Sequence, residues 1–239
     1  MSATPIPAAR SKPFADATRV LSSILTPLEK RTLLFLAHRM PRWVHSDHLT
    51  ALALAAMLGA GLSYWLARIT PLGLVLVVVC LAINWFGDSL DGTLARVRQR
   101  QRPRYGYYVD HAVDLAGTAC LVGGLALSGF MTPVVALGVL GAYFMLSAEV
   151  YLATHSLGTF KMSYFKIGPT ELRIILSIGT LALLRHPAPT FFGRSFLLFD
   201  VGGVVAAAGM VATFAVSAVT NGRTLYHLER LPDRVANRP

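Results

Sequence analysis

Two neighbouring apolar runs, residues 71–95 and 107–129, are each about as long as a membrane-crossing helix, yet four aspartates lie inside them: Asp88, Asp91, Asp110 and Asp114. A spanning helix needs about 20 apolar residues to cross a hydrocarbon core about 30 Å thick. An aspartate at the centre of such a helix costs about 2.5 to 3.5 kcal/mol, so four uncompensated ones would cost on the order of 10 kcal/mol. Any fold open to this chain must therefore bring the aspartates together with something that neutralises them.

Their spacing shows how. Asp88 and Asp91 are three residues apart and are followed by Gly92 and Ala95, which at about 100° per residue puts all four within roughly a 100° arc of one helix. Asp110 and Asp114 are four apart, with Gly106 one turn earlier, and again share a face. The short basic turn between the runs makes the two helices antiparallel neighbours, so the carboxylate faces can meet at one depth. Four carboxylates at one point repel by about 4 kcal/mol per pair at 4 Å and an effective dielectric near 20. Two divalent cations would cancel the four charges. Oxygen ligands without Cys or His suit Mg²⁺ or Mn²⁺ rather than zinc. The small residues beside the carboxylates leave room for a bulky group to approach the backbone. This is the pattern of a metal-assisted phosphoryl-transfer site.

The arrangement Asp88-x2-Asp91-Gly92-x2-Ala95-Arg96 followed by Gly106-x3-Asp110-x3-Asp114 resembles the signature of the CDP-alcohol phosphotransferases, integral membrane enzymes of phospholipid synthesis. All eight positions are present; the spacer from Arg96 to Gly106 is one residue longer than the usual pattern and falls in the turn. The resemblance implies transfer of a phosphatidyl or other substituted phosphoryl group from a CDP-linked donor, such as CDP-diacylglycerol, to an alcohol acceptor with release of CMP. It implies that Asp88, Asp91 and Asp110 hold the metals with help from Asp114, and that Asp114 is also the general base on the acceptor hydroxyl. Asp91, Gly92, Ala95, Arg96 and Gly106 would form the nucleotide side, the small residues giving room and Arg96 steadying the diphosphate. Members of the family are commonly homodimers.

With 54% hydrophobic and 14% charged residues, the chain is depleted in charge relative to the roughly 25% of soluble domains. The net charge of +10 does not point to nucleic acid, because the basic residues lie between apolar runs. Six apolar segments are expected, at 49–67, 71–95, 107–129, 132–153, 170–184 and 200–221, the fifth of them short. The expected fold is an all-α integral membrane protein with six transmembrane helices.

An N-terminal interfacial helix is expected over 26–40. Thr26 would be its N-cap, Pro27 its first helical residue and Glu29 its capping-box partner; the mixed basic and apolar face suits a membrane surface. Residues 1–48 thus read as a cytosolic tail, without a signal-peptide core, plus the interfacial helix. Residues 49–222 read as the membrane domain and 223–239 as a short cytosolic tail. Ser46-Asp47-His48-Leu49-Thr50 is similar to the family's lead-in to its first membrane helix but departs from it at Ser46 and Asp47, where helix capping by Asp47 is expected.

Of the 22 lysines and arginines, all but Arg68, Arg185 and Arg194 fall on one side of this layout. By the positive-inside rule both termini and the 96–104 turn face the cytosol, in a multi-pass protein of the cytoplasmic (inner) membrane. Asp88 lies 17 residues beyond Pro71, about 26 Å along the helix, so the carboxylates sit near the cytosolic leaflet. There a soluble nucleotide head can enter while acyl chains stay in lipid. Glu149, Lys161 and Lys166 return to the same side and are the candidate acceptor contacts. Cys80 and Cys120 read as packing residues. Small residues at Gly138, Gly141, Gly202, Gly203 and Gly209 permit close helix contacts, within the bundle or between subunits. Two other functions use the same carboxylates: a hydrolase of CDP-linked lipids, with water as acceptor, and a divalent-cation transporter. The nearly charge-free outer halves of the segments disfavour the transporter.

Overall fold

The computed structural model describes residues 18–20, 26–161, 168–185, 190–191 and 194–229. Seven helices run in chain order among them: α1 (Thr26–Arg39), α2 (Ser46–Leu66), α3 (Leu72–Val97), α4 (Pro103–Ser128), α5 (Pro133–Leu157), α6 (Pro169–Ala182) and α7 (Leu198–Leu228). Two short extended pairings complete it: Thr18–Val20 runs parallel to Thr159–Lys161, and Thr190–Phe191 antiparallel to Arg194–Ser195. Five helices, α2 to α5 and α7, are long and apolar enough to cross a membrane. The fifth expected segment is α6, at 14 residues about 21 Å long and shorter than the hydrocarbon core.

Helix limits follow local chemistry. Proline occupies the first turn of α4, α5 and α6, where its missing N–H costs nothing and its fixed φ suits the helix. In α4 this moves the start to Pro103, four residues before the expected 107, so Asp110 and Asp114 lie about one turn deeper in the helix than a start at 107 would put them. Gly129 (φ 82°) and Gly158 (φ 67°) end α4 and α5 in the left-handed conformation that glycine adopts without a Cβ clash. At the other end of the chain, α7 runs on to Leu228, so the first residues of the expected C-terminal tail are helical; the rest of it, and most of residues 1–25, lie outside the described residues.

The packing centre is α3, whose largest interface is with α2 and which also carries α1 and α6. One core gathers Tyr64, Leu74, Val77, Leu81, Leu121 and Phe199; a second joins Leu33 and Ala37 of α1 to Leu49, Leu90 and Leu94. The closest helix crossings fall at glycines other than those the sequence pointed to. A Cβ on Gly61 would sit 2.3 Å from the Cys120 carbonyl oxygen, and one on Gly124 would sit 2.1 Å from that of Gly61, so α2 and α4 touch backbone to backbone. Gly87 does the same for α3 against α2, 2.6 Å from the Leu49 oxygen. Of the expected small-residue contacts, Gly203 packs tightly against Met131 and Val135, whereas Gly138, Gly141, Gly202 and Gly209 face open space.

Buried polar pairs knit the bundle. Asn84 donates to the Ala53 carbonyl at 3.0 Å, and the Tyr64 hydroxyl meets Thr180 Oγ1 at 2.6 Å. Such pairs hold helices together where apolar surface gives no preference between protein and lipid.

Candidate active site

The chain folds back through a five-residue turn between α3 and α4, with Gln99 at φ 54°. The last turns of α3 and the early turns of α4 thereby send side chains to one place, although each helix packs mainly on α2 and not, as expected, directly on the other. Asp88, Asp110 and Asp114 each offer a carboxylate oxygen, and these atoms all lie within 4.8 Å of one another. The i, i+4 pair Asp110 and Asp114 thus meets Asp88, the first member of the i, i+3 pair, at one point.

Asp91 points elsewhere. It is buried, its Oδ2 accepts a 2.6 Å hydrogen bond from Thr50 Oγ1, and its other oxygen takes the backbone N–H of Gly92. Ser46 Oγ donates to the Asp91 carbonyl at 3.0 Å. Three residues along a helix is a rotation of about 300°, which leaves Asp91 about 60° from Asp88 and turned toward α2. The Ser46–Thr50 lead-in therefore sits directly on a motif aspartate. Asp47 does not cap α2: His45 is the N-cap residue, its backbone N–H donates to His48 Nδ1 at 3.3 Å, and Asp47 forms an exposed ion pair with Arg102 at the start of α4. That contact raises the Arg102 pKa further above its ordinary value.

The residues expected on the nucleotide side leave space around Gly92 and Gly106. Gly106 is exposed and an added Cβ would meet nothing within 4 Å; at Gly92 the nearest atom would be Arg96 Nη1, 3.5 Å away. Arg96 folds back along α3, donating from Nη2 to Thr93 Oγ1 at 3.0 Å, and lies beside the Gly92 face with Ala95 half-buried next to it.

Arg173 of α6 enters the site as a member the motif does not contain. Its Nη2 donates to Asp88 Oδ2 at 2.5 Å and its Nε to Asn84 Oδ1 at 2.7 Å, while Nη1 is buried without a hydrogen-bond partner among the described residues. His111, beside Asp110, is buried between Tyr107 (ring centroids 4.1 Å, stacked) and Tyr151 (4.9 Å), with Nδ1 3.5 Å from Asp110 Oδ2. The sequence carried a signal for His111, one turn from Tyr107 on the same face. It carried none for the pairing of Arg173 with Asp88, 85 residues apart.

Of the candidate acceptor residues, Glu149 alone has a described side chain. Glu149 is buried on α5 and takes a 2.7 Å hydrogen bond from Asn221 of α7 on Oε1. Lys161 lies in the extended pairing with Thr18–Val20, and its side chain, like all of Lys166, falls outside the described residues.

A bundle of apolar helices with a carboxylate cluster and a guanidinium gathered at one turn defines an integral membrane protein with a built polar site. The family model for CDP-alcohol phosphatidyltransferases matches residues 43–219, a stretch that begins just before α2 and ends inside α7 and contains every residue of the cluster. The chain belongs to that family, and with it to the transferases of phospholipid biosynthesis, which act on a CDP-alcohol donor and an alcohol acceptor. A search among curated proteins found no match.

Proposed function

We propose that the protein transfers a phosphatidyl or other substituted phosphoryl group from a CDP-linked donor such as CDP-diacylglycerol to an alcohol, with release of CMP, at the α3–α4 carboxylates. The observation that carries this reading is the convergence of Asp88, Asp110 and Asp114 within 4.8 Å at the family's own motif. Each such carboxylate pair repels by at least about 3.5 kcal/mol at an effective dielectric near 20, so the cluster calls for cations. Its all-oxygen donors fit Mg²⁺ or Mn²⁺. Asp88, Asp110 and Asp114, with Asp91 on the adjoining arc of α3, would hold two such ions. Bound there, they would supply Lewis-acid stabilisation of negative charge on the transferring phosphoryl group.

The chain's own groups do the rest. Asp114 takes the proton of the acceptor hydroxyl as general base. The freed oxygen attacks the phosphorus that bears the donor's alcohol; the bond from that phosphorus to the bridging oxygen breaks, and its electron pair leaves with CMP. Arg96 and the Nη1 of Arg173 donate to phosphoryl oxygens. Gly92, Ala95 and Gly106 give the nucleotide its room. Glu149, Lys161 and Lys166 are proposed to lie on the acceptor's path.

The site opens to the cytosol and the protein resides in the cytoplasmic membrane, a placement supported by the basic residues gathered on the side of the 96–104 turn. We take α6 as a sixth, short membrane helix. Its support is a ladder of contacts along its length, from Arg173 with Asp88 to Thr180 with Tyr64. α1 lies at the interface, and the open faces at Gly138, Gly141, Gly202 and Gly209 suit a second copy in a homodimer.

The test is CMP release from CDP-diacylglycerol by purified protein with Mg²⁺ or Mn²⁺, across serine, choline, inositol, glycerol phosphate, inositol phosphate and no acceptor. Release stimulated by one alcohol supports the transferase and names its product. Release that ignores the acceptor overturns it in favour of hydrolysis. Silence with CDP-diacylglycerol, and again with CDP-choline or CDP-ethanolamine plus diacylglycerol, overturns it altogether.

A further inference from the structure

The first helix carries more than an amphipathic face. Glu29 stands in the first turn of α1, and its Oε1 accepts three hydrogen bonds from two other helices. Trp85 Nε1 donates at 2.9 Å and Ser89 Oγ at 3.1 Å, both from α3; Thr170 Oγ1 donates at 2.7 Å from α6. One carboxylate oxygen thus joins three helices whose contributing residues are far apart in the chain. Hydrogen bonds to a charged acceptor are about twice as strong as neutral ones, and three donors satisfy the oxygen in a half-buried setting.

The heights of these contacts matter. Ser89 adjoins Asp88, and Trp85 is one turn before it on α3. Thr170 is one turn before Arg173 on α6. The oxygen of Glu29 therefore bridges α3 and α6 within one turn of the place where Arg173 meets Asp88.

α1 is itself held against the bundle. Leu33 and Ala37, one and two turns after Glu29 on the same face, are buried against Leu90 and Leu94 of α3. At the other end of α1, Arg98 donates to the carbonyls of Met40, Pro41 and Val44. An anchored helix can fix the spacing of two others; a helix floating on lipid could not.

We propose that Glu29 is a positioning residue: by tying α6 to α3 it holds the Arg173 guanidinium at Asp88, so that α1 acts as a clasp on the phosphotransfer site. The inference rests on the function proposed above for that site, and its geometry can be read without activity.

The test uses the full chain in lipid nanodiscs. Spin labels at Lys30→Cys and Leu172→Cys, both exposed, report the distance between α1 and α6 once Cys80 and Cys120 are changed to alanine. Glu29→Ala is expected to lengthen and broaden that distance. Glu29→Gln, whose amide oxygen accepts the same three donors, is expected to preserve it. In the unlabelled chain, Glu29→Ala is expected to lower kcat by about 10²-fold, the scale of a 1 Å misplacement, with Glu29→Gln restoring most of it. Added to Arg173→Ala, Glu29→Ala should cost little more, because both act through one contact.

An unchanged label distance in Glu29→Ala, or losses from Glu29→Ala and Arg173→Ala that multiply, would overturn the clasp. If Glu29→Ala does not survive purification, Trp85→Phe with Thr170→Val removes two of the three donors and carries the same expectations. The two readings fail separately. A wild-type chain that transfers to no acceptor, with the label distance still widening in Glu29→Ala, refutes the assigned reaction and keeps the clasp. Full transfer with an unmoved distance does the reverse.

Discussion

Arg173→Met removes the one cation among the described residues that ion-pairs with the carboxylate cluster from a distant part of the chain. The guanidinium and the Asp88 carboxylate are 17% and 20% exposed, so the pair is mostly withdrawn from solvent. At 2.5 Å and an effective dielectric near 20 their attraction is about 6.6 kcal/mol. The repulsion of Asp88 from Asp110 and Asp114, at 4.8 Å or less, is at least about 3.5 kcal/mol for each pair. Arg173 therefore offsets about what Asp88 costs the cluster. Desolvation reduces the gross figure, and breaking a buried pair costs about 3–5 kcal/mol in practice. For a chain of 239 residues that corresponds to a fall in melting temperature of about 6–20 °C. The assay is thermal unfolding of purified Arg173→Met and wild type in the same detergent, first in EDTA and then in saturating Mn²⁺. The deficit should be large in EDTA and shrink in Mn²⁺, since bound cations take over the neutralisation of Asp88. A variant that melts within about 2 °C of wild type in EDTA would refute the electrostatic account. A deficit equally large in Mn²⁺ would refute metal binding at the cluster.

Asp91→Asn and Asp110→Asn should each abolish transfer while circular dichroism and gel filtration stay those of wild type; retained turnover in either would remove that residue from the metal-binding set. Thr50→Val keeps shape but takes the 2.6 Å donor from buried Asp91, for a loss of about 1.5–3 kcal/mol that chemical unfolding can measure, together with a lower apparent metal affinity. Gly61→Leu has no room at the α2–α4 crossing and should destabilise by about 3 kcal/mol or more, whereas Gly222→Ala, with nothing within 4 Å, should be neutral; equal melting of the two would contradict the backbone contact.

What the sequence made legible is what helical periodicity encodes. The i, i+4 spacing of Asp110 and Asp114 and the short turn after α3 are local facts, and they point to the meeting of Asp88, Asp110 and Asp114. The same periodicity grouped Asp91 with them, since a 60° offset still counts as one face. Sixty degrees is also enough to aim one side chain at α4 and α6 and another at α2, and only the crossing of those helices decides which. The contributions of Thr50, Arg173 and Glu29 depend on such crossings between segments 41 to 141 residues apart, which no local pattern records. The glycines repeat the lesson. Gly138 and Gly141 look like a contact motif and face outward, while Gly61 and Gly124, unremarkable in spacing, set the closest approach of two helices.

These nonlocal contacts converge on the α3 end that the motif occupies. α2 reaches it through Ser46 and Thr50, α6 through Arg173, and α1 through Glu29, each with a hydroxyl, guanidinium or carboxylate aimed at α3 within about a turn of Asp88 or Asp91. Polar groups inside an apolar bundle are costly unless paired, so each contact constrains the rotation of its own helix as well as filling a valence. The carboxylates that the metal reading requires thus also fix the packing of the helices that present them. Aspartate-to-asparagine changes at Asp88, which lose the Arg173 ion pair, should therefore loosen α6, whereas the same change at Asp110 should not. Hydrogen exchange on α6 in the two variants separates the cases: equal protection in both would show that the Asp88 ion pair does not hold α6.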